Sequence, residues 1–122
     1  MVTIVRAVDL ELRPGGTVRF EGEPNGSALS FFHVRNAPGA GAARHVHPYP
    51  ETWIVLAGRV RFTVGGEPVE AGPGDIVVAP GQVPHGFVSL GPEMLEMMCM
   101  HPSARFIQED LEEGNQEPRS PA

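Results

Sequence analysis

The chain predicts an all-β fold, a sandwich or barrel of many short strands. Fifteen glycines and thirteen prolines punctuate its 122 residues, and they cluster between short apolar or β-branched segments. Arg59–Val64 alternates strictly, with Val60, Phe62 and Val64 on one face and Arg59, Arg61 and Thr63 on the other. That is the period of a half-buried strand. Only the stretch after Ser103 carries a pattern compatible with helix.

In chain order, Thr3–Val8, Thr17–Phe20 and Leu29–Arg35 read as strands, separated by the turn signals Pro14-Gly15-Gly16 and Glu23-Pro24-Asn25-Gly26. Ala37–Ala43 reads as a Gly/Ala loop leading into a strand at His45. Thr52–Leu56 is apolar and ends at Gly58, and Gly65-Gly66 marks a hairpin turn after Arg59–Val64. Pro68–Gly74 reads as a turn region, and Asp75–Ala79 as a buried strand. Pro80–Pro84 is a loop, His85–Leu90 a strand, Gly91-Pro92 a turn and Met94–His101 the last strand. Ser103 is placed to cap a short helix with Phe106, Ile107 and Leu111 as its apolar positions, and Glu109, Asp110, Glu112 and Glu113 as its solvated end. Residues 1–113 are expected to form one domain including that helix. Residues 114–122, polar and with two prolines, are expected to be a disordered tail.

Composition narrows the function classes. Fifteen acidic residues stand against nine arginines and no lysine, for a net charge of −6. Binding to nucleic acid needs a basic patch that displaces counterions, which this balance does not favour, and it gives no attraction to anionic membranes. Without lysine there is no Schiff-base chemistry. Cys99 is the only cysteine, which excludes an intramolecular disulfide and CxxC sites. The N-terminus carries no signal-peptide pattern and no apolar run is long enough to span a bilayer, so a soluble cytoplasmic protein is expected.

His45-Val46-His47-Pro48-Tyr49-Pro50-Glu51, with His85 far downstream, is the part of the chain that points to chemistry. Histidines at i and i+2 on a strand share a face. Glu51 keeps that parity if the strand resumes after a turn, and Pro48 and Pro50, lacking N–H donors, suit such a turn. Pro84 restricts the backbone ahead of it and helps aim His85 across the sheet. Three imidazoles and one carboxylate suit a divalent transition metal better than calcium or magnesium, which take oxygen cages. Manganese, iron, cobalt, nickel, copper and zinc all accept such a set.

The spacing also resembles a known family. Gly39, His45-Val46-His47, Glu51 and Gly58 look like the first motif of the cupin superfamily, and Gly74, Pro80 and His85 look like the second. Gly81 and Gln82 depart from the family's usual Pro-x-Gly order, and Ser89 stands where many cupins have asparagine. The closing His101-Pro102-Ser103-Ala104-Arg105-Phe106 is similar to the end of small single-domain bacterial cupins. The resemblance spans roughly residues 18–113. It implies a double-stranded β-helix, or jelly-roll barrel, with one divalent metal per chain held by His45, His47, Glu51 and His85 and two coordination positions open to ligand. It also implies a homodimer.

Other residues have plainer roles open to them. His33 shares a face with Arg35 and reads as a surface or interface residue. Leu95, Met97, Cys99 and His101 form the inward face of the last strand. His101 then either approaches the pocket as an acid–base group or anchors the C-terminal helix, and the second reading is preferred. Met94, Met97, Met98 and Met100 read as packing rather than as a thioether metal site. Trp53 shares parity with Glu51, and Phe87 with His85, so both are candidate pocket walls. Two functions stay open at this point. One is a metal-dependent enzyme acting on a small organic oxygen donor by oxygenase, isomerase, cyclase or decarboxylase chemistry, with Glu51 as base and His101 as proton shuttle. The other is a non-catalytic module that holds a small ligand or a structural metal.

Overall fold

The alternating Arg59–Val64 segment becomes a strand in which Val60 and Phe62 are buried while Arg61 and Thr63 face solvent. This computed structural model describes residues 1–111. Its strands are β1 (Glu11–Leu12), β2 (Val18–Phe20), β3 (Ser30–Asn36), β4 (Gly41–Val46), β5 (Glu51–Ala57), β6 (Val60–Val64), β7 (Glu67–Ala71), β8 (Ile76–Ala79), β9 (His85–Ser89), β10 (Leu95–His101) and β11 (Glu109–Asp110). They form two antiparallel sheets, a six-stranded one in the order β1-β2-β3-β10-β5-β8 and a five-stranded one in the order β11-β4-β9-β6-β7. This is the jelly-roll barrel architecture. Between the sheets lies a core that includes Val34, Trp53, Val55, Val60, Phe62, Phe87, Leu95 and Met97.

Alternation places the core. In β10, Leu95, Met97, Cys99 and His101 are buried while Glu96, Met98 and Met100 are half-buried on the outer face. In β5, Glu51, Trp53 and Val55 point inward. β10 pairs with β5 through Cys99↔Trp53 and with β3 through Cys99↔Phe32, so the central strands of the larger sheet share one apolar inner surface. His33, on the outer face of β3, has its Nε2 2.9 Å from Glu96 Oε1.

Several expected elements differ. The predicted C-terminal helix is absent, and no α-helix occurs among the described residues; the only helical turns are 3-10 turns at Ala7–Asp9 and Glu23–Asn25. Phe106, Ile107 and Leu111 do not repeat as a helical stripe, and the backbone is spent on distant partners instead. The Phe106 N–H donates to Glu21 Oε2 at 3.2 Å, and the Leu111 N–H donates to the Arg44 carbonyl at 3.0 Å. Ser103 Oγ accepts the Arg105 N–H at 3.3 Å in a local turn rather than capping a helix. Glu109 and Asp110, expected on a solvated helix end, form β11 opposite Val46 and His45. The expected tail, 114–122, lies outside the described residues.

Thr3–Val8 is not a strand. Pro68–Gly74, expected as a turn region, contains β7, which pairs with β6 across the Gly65-Gly66 turn. β7 is the edge of its sheet, where Pro68 costs no ladder bond. Asp75–Ala79 was expected to be buried, yet β8 is the other sheet's edge, with Ile76 65% and Val78 58% exposed. An apolar run with β-branched residues on both faces reports strand, not burial. β4 begins at Gly41, inside the expected loop, because Gly41 pairs with Val88.

Candidate metal centre

His45 ends up opposite His85 as a Cα pair between β4 and β9, and Glu51 opens β5 in the facing sheet. The turn through Pro48, Tyr49 and Pro50 carries the chain from one sheet to the other, with His47 at its start. The Pro80–Pro84 loop packs against this turn, and the Gln82 N–H donates to the His47 carbonyl at 2.8 Å. A side chain at Gly81 would meet the Pro48 carbonyl at 3.0 Å. Gln82 itself has φ 67°. The position where the resembling motif places glycine keeps the left-handed backbone although the residue is glutamine.

His45, His47, Glu51 and His85 each offer one ligand atom, and these atoms all lie within 4.8 Å of one another. All four side chains are buried. That span is close to the ~4 Å separating opposite ligands when metal–ligand bonds are about 2.1 Å. The four residues expected from the sequence therefore converge.

The second ring nitrogens explain how the imidazoles are aimed. His45 Nδ1–H donates to the Ala43 carbonyl at 2.6 Å, His47 Nδ1–H to the Ile107 carbonyl at 2.7 Å, and His85 Nδ1–H to the Val83 carbonyl at 3.1 Å. Each bond fixes the tautomer with a lone pair on Nε2. The Nε2 atoms of His47 and His85 then sit 3.0 and 3.1 Å from Glu51 Oε1. Lone pairs facing a carboxylate oxygen repel unless a cation lies between them. The buried His47 Nε2 has no aligned hydrogen-bond partner. The donor set thus fits a divalent transition metal, which satisfies all four groups at once.

The electrostatics differ between the ligands. Burial pushes the His45 imidazole down to about 4, outweighing its bond to Ala43, so at neutral pH it is a deprotonated ligand. Burial also pulls on His47, but the Glu51 carboxylate and the Ile107 carbonyl outweigh it and raise its pKa. Burial alone would raise Glu51; the His101, His47 and His85 imidazoles packed around it outweigh that and hold its carboxyl well below the usual carboxylate range. It is a buried anion.

A cavity of about 400 Å³ opens beside this group, with His45, Glu51, Phe32, Phe87, Arg13 and His101 among its walls. Phe87 is among its walls. Trp53 is not among its walls. It is fully buried, packed on Phe62 at 4.6 Å and edge-on to His85 at 5.0 Å between centroids, and supports the ligand from behind. His101 is not the anchor of a helix. Its Nε2 lies 3.3 Å from Glu51 Oε2. Ser89 Oγ is buried without a partner.

Sequence reasoning missed Tyr49, whose hydroxyl is 2.7 Å from His101 Nδ1. It also missed Arg13, which lies over the Phe32 ring at 5.6 Å, and Gln108 and Asp110, which the segment around β11 brings to the cavity. Tyr49 sits within the ligand heptad and could have been flagged by position. The others come from remote segments and carry no local signal.

A family model described as a cupin domain matches residues 32–101. No curated protein matches the chain. Among solved structures, a deletion mutant of Bacillus subtilis oxalate decarboxylase is 22% identical with a TM-score of 0.78, covering 91% of this chain and 33% of that one. The same enzyme in a study of its Mn(II) centres is 21% identical with a TM-score of 0.71, covering 83% of this chain and 29% of that one. This chain spans about a third of the length of these structures, and the likeness is one of fold. Among the described residues no helix is long and apolar enough to cross a membrane.

Proposed function

Because this chain belongs to the cupin domain family over residues 32–101, we propose that its metal centre serves an enzyme acting on a small organic oxygen donor. The observation that carries this reading is the convergence of three buried imidazoles and one buried carboxylate beside a cavity that His45 and Glu51 themselves line. A divalent metal held there supplies Lewis acidity and a template for substrate oxygens. The chain supplies the remainder. Phe32 and Phe87 offer apolar walls that exclude water, and Arg13 offers a positive charge to an anionic group such as a carboxylate or enolate. Glu51 is the base, and His101, with its Nε2 3.3 Å from Oε2 of Glu51, is the second group of the cavity able to hold a proton.

Dioxygenase-like oxidation of an enolisable or aromatic substrate is the leading reaction. Decarboxylation is the second reading, favoured by the arginine on the cavity wall and by the fold likeness to oxalate decarboxylase. The protein acts in the cytoplasm as a homodimer. The support for a dimer is an apolar outer surface on the larger sheet, where Met98 neighbours Ile54 and Ile54 neighbours Ile76 across the strands, beside exposed Val78 and Leu56.

Metal analysis of anaerobically purified protein tests the centre. Close to one divalent metal per chain is expected, with most of it lost in His47→Ala and in His85→Ala; full metal in both variants sinks the ligand assignment. Oxygen uptake and carbon dioxide release against a panel of small carboxylates and enolisable ketones separate the two reactions. Turnover of neither kind, with a metal that exchanges no water, identifies a non-catalytic binding module.

A further inference from the structure

The two oxygens of Glu51 have different surroundings. Oε1 faces the Nε2 atoms of His47 and His85 at 3.0 and 3.1 Å, whereas Oε2 faces His101 Nε2 at 3.3 Å. An ionised carboxylate only accepts hydrogen bonds, so a favourable contact at this distance puts the His101 proton on Nε2. His101 Nδ1 is then an acceptor, and the Tyr49 O–H donates to it at 2.7 Å. The Tyr49 oxygen in turn accepts the Ile107 N–H at 3.3 Å, and the Ile107 carbonyl accepts His47 Nδ1–H at 2.7 Å. The backbone of one residue therefore grips both a ligand imidazole and the tyrosine.

Packing holds this chain of donors in place. The Tyr49 ring stacks on His47 with centroids 5.1 Å apart and planes 6° apart. His101 is edge-on to His47 at 4.6 Å and to Phe106 at 4.9 Å, which leaves its ring little room to turn. The non-helical path of residues 104–108 makes the clamp possible. In a helix the Ile107 carbonyl would be claimed by the N–H four residues on.

We propose that Tyr49 and His101 form a positioning pair that engages Oε2 of Glu51 and leaves Oε1 as its only oxygen for the metal. The pair rests on the metal-centre reading above. A carboxylate restricted to one oxygen would leave free a coordination position that a two-oxygen carboxylate would fill. Tyr49 acts through His101, and His101 acts through Glu51.

Co(II) titration of the full-length protein, followed by visible absorption, tests the pair, because the bands respond to coordination number as well as to occupancy. Tyr49→Phe and His101→Leu are expected to weaken Co(II) binding about tenfold or more and to change the band shape. His101→Gln, whose amide N–H still reaches toward Oε2, is expected to recover most of the wild-type spectrum. Thermal unfolding of metal-free Tyr49→Phe should stay near wild type, which separates positioning from folding. Wild-type affinity and spectrum in both Tyr49→Phe and His101→Leu overturn the pair and leave the metal centre standing. If the unaltered protein binds no Co(II), the metal centre falls and the pair falls with it.

Discussion

Metal-free protein should lose stability in mild acid through His45 in particular. Unfolded, this imidazole titrates at its ordinary 6.5; folded, burial holds it down to about 4. Between those values the unfolded chain binds more protons, so acid favours unfolding. The stability is fully present above 6.5 and is lost as pH falls toward 4. The whole shift corresponds to about 3 kcal/mol, of which about 2 kcal/mol disappears between pH 7 and pH 5. His47 works in the opposite sense, since its raised pKa adds stability as pH falls through the window above 6.5. Glu51 is held low and loses its contribution only below the ordinary carboxylate range. The comparison that isolates His45 is therefore the wild type against His45→Gln, which keeps a polar side chain and removes the titration. Urea unfolding at pH 7 and pH 5, in the presence of a chelator, should show the wild type losing about 2 kcal/mol more than the variant. Parallel losses in the two proteins would refute the argument that burial keeps His45 neutral.

Three further outcomes are expected. Gln82→Gly relieves a left-handed backbone at φ 67° and should raise stability by about 1 kcal/mol, or a few degrees in Tm; a lower Tm would show that the glutamine side chain earns its place. Trp53→Ala empties a fully buried site between Phe62 and His85 and should cost about 3–5 kcal/mol in denaturant unfolding, with weaker metal binding as the support behind His85 is lost. Ile54→Glu puts a charge on the apolar outer surface of the larger sheet and should halve the mass seen by light scattering, while wild-type mass in the variant removes this surface as the dimer contact.

Much of the fold was legible because a strand writes its burial into alternate residues. β6 and β10 show this directly, and their inward sets, Val60 with Phe62 and Leu95 through His101, are those the period assigns. β8 shows the limit. Ile76 and Val78 are as apolar as a core strand, and only the order of strands in the sheet makes β8 an edge. β7 shows the converse, a strand hidden behind Pro68 because an edge tolerates a missing donor.

The sequence by itself determined the four ligand candidates, since His-x-His parity, the proline-marked turn and the later His85 are local features tied to the period of a strand. It also determined the all-β class and the cupin resemblance. Only the tertiary structure decided what surrounds those ligands. The fate of residues 103–111 turned on it: the same apolar positions that suggested a helix do not form one, because the Phe106 and Ile107 N–H groups find Glu21 and Tyr49 from distant segments. That choice carries Ile107 to His47 and Tyr49, frees His101 to face Glu51, and brings β11 to the cavity. Hydrogen bonds between residues far apart in the chain have no periodic signature, so they become visible only when the two sheets face each other.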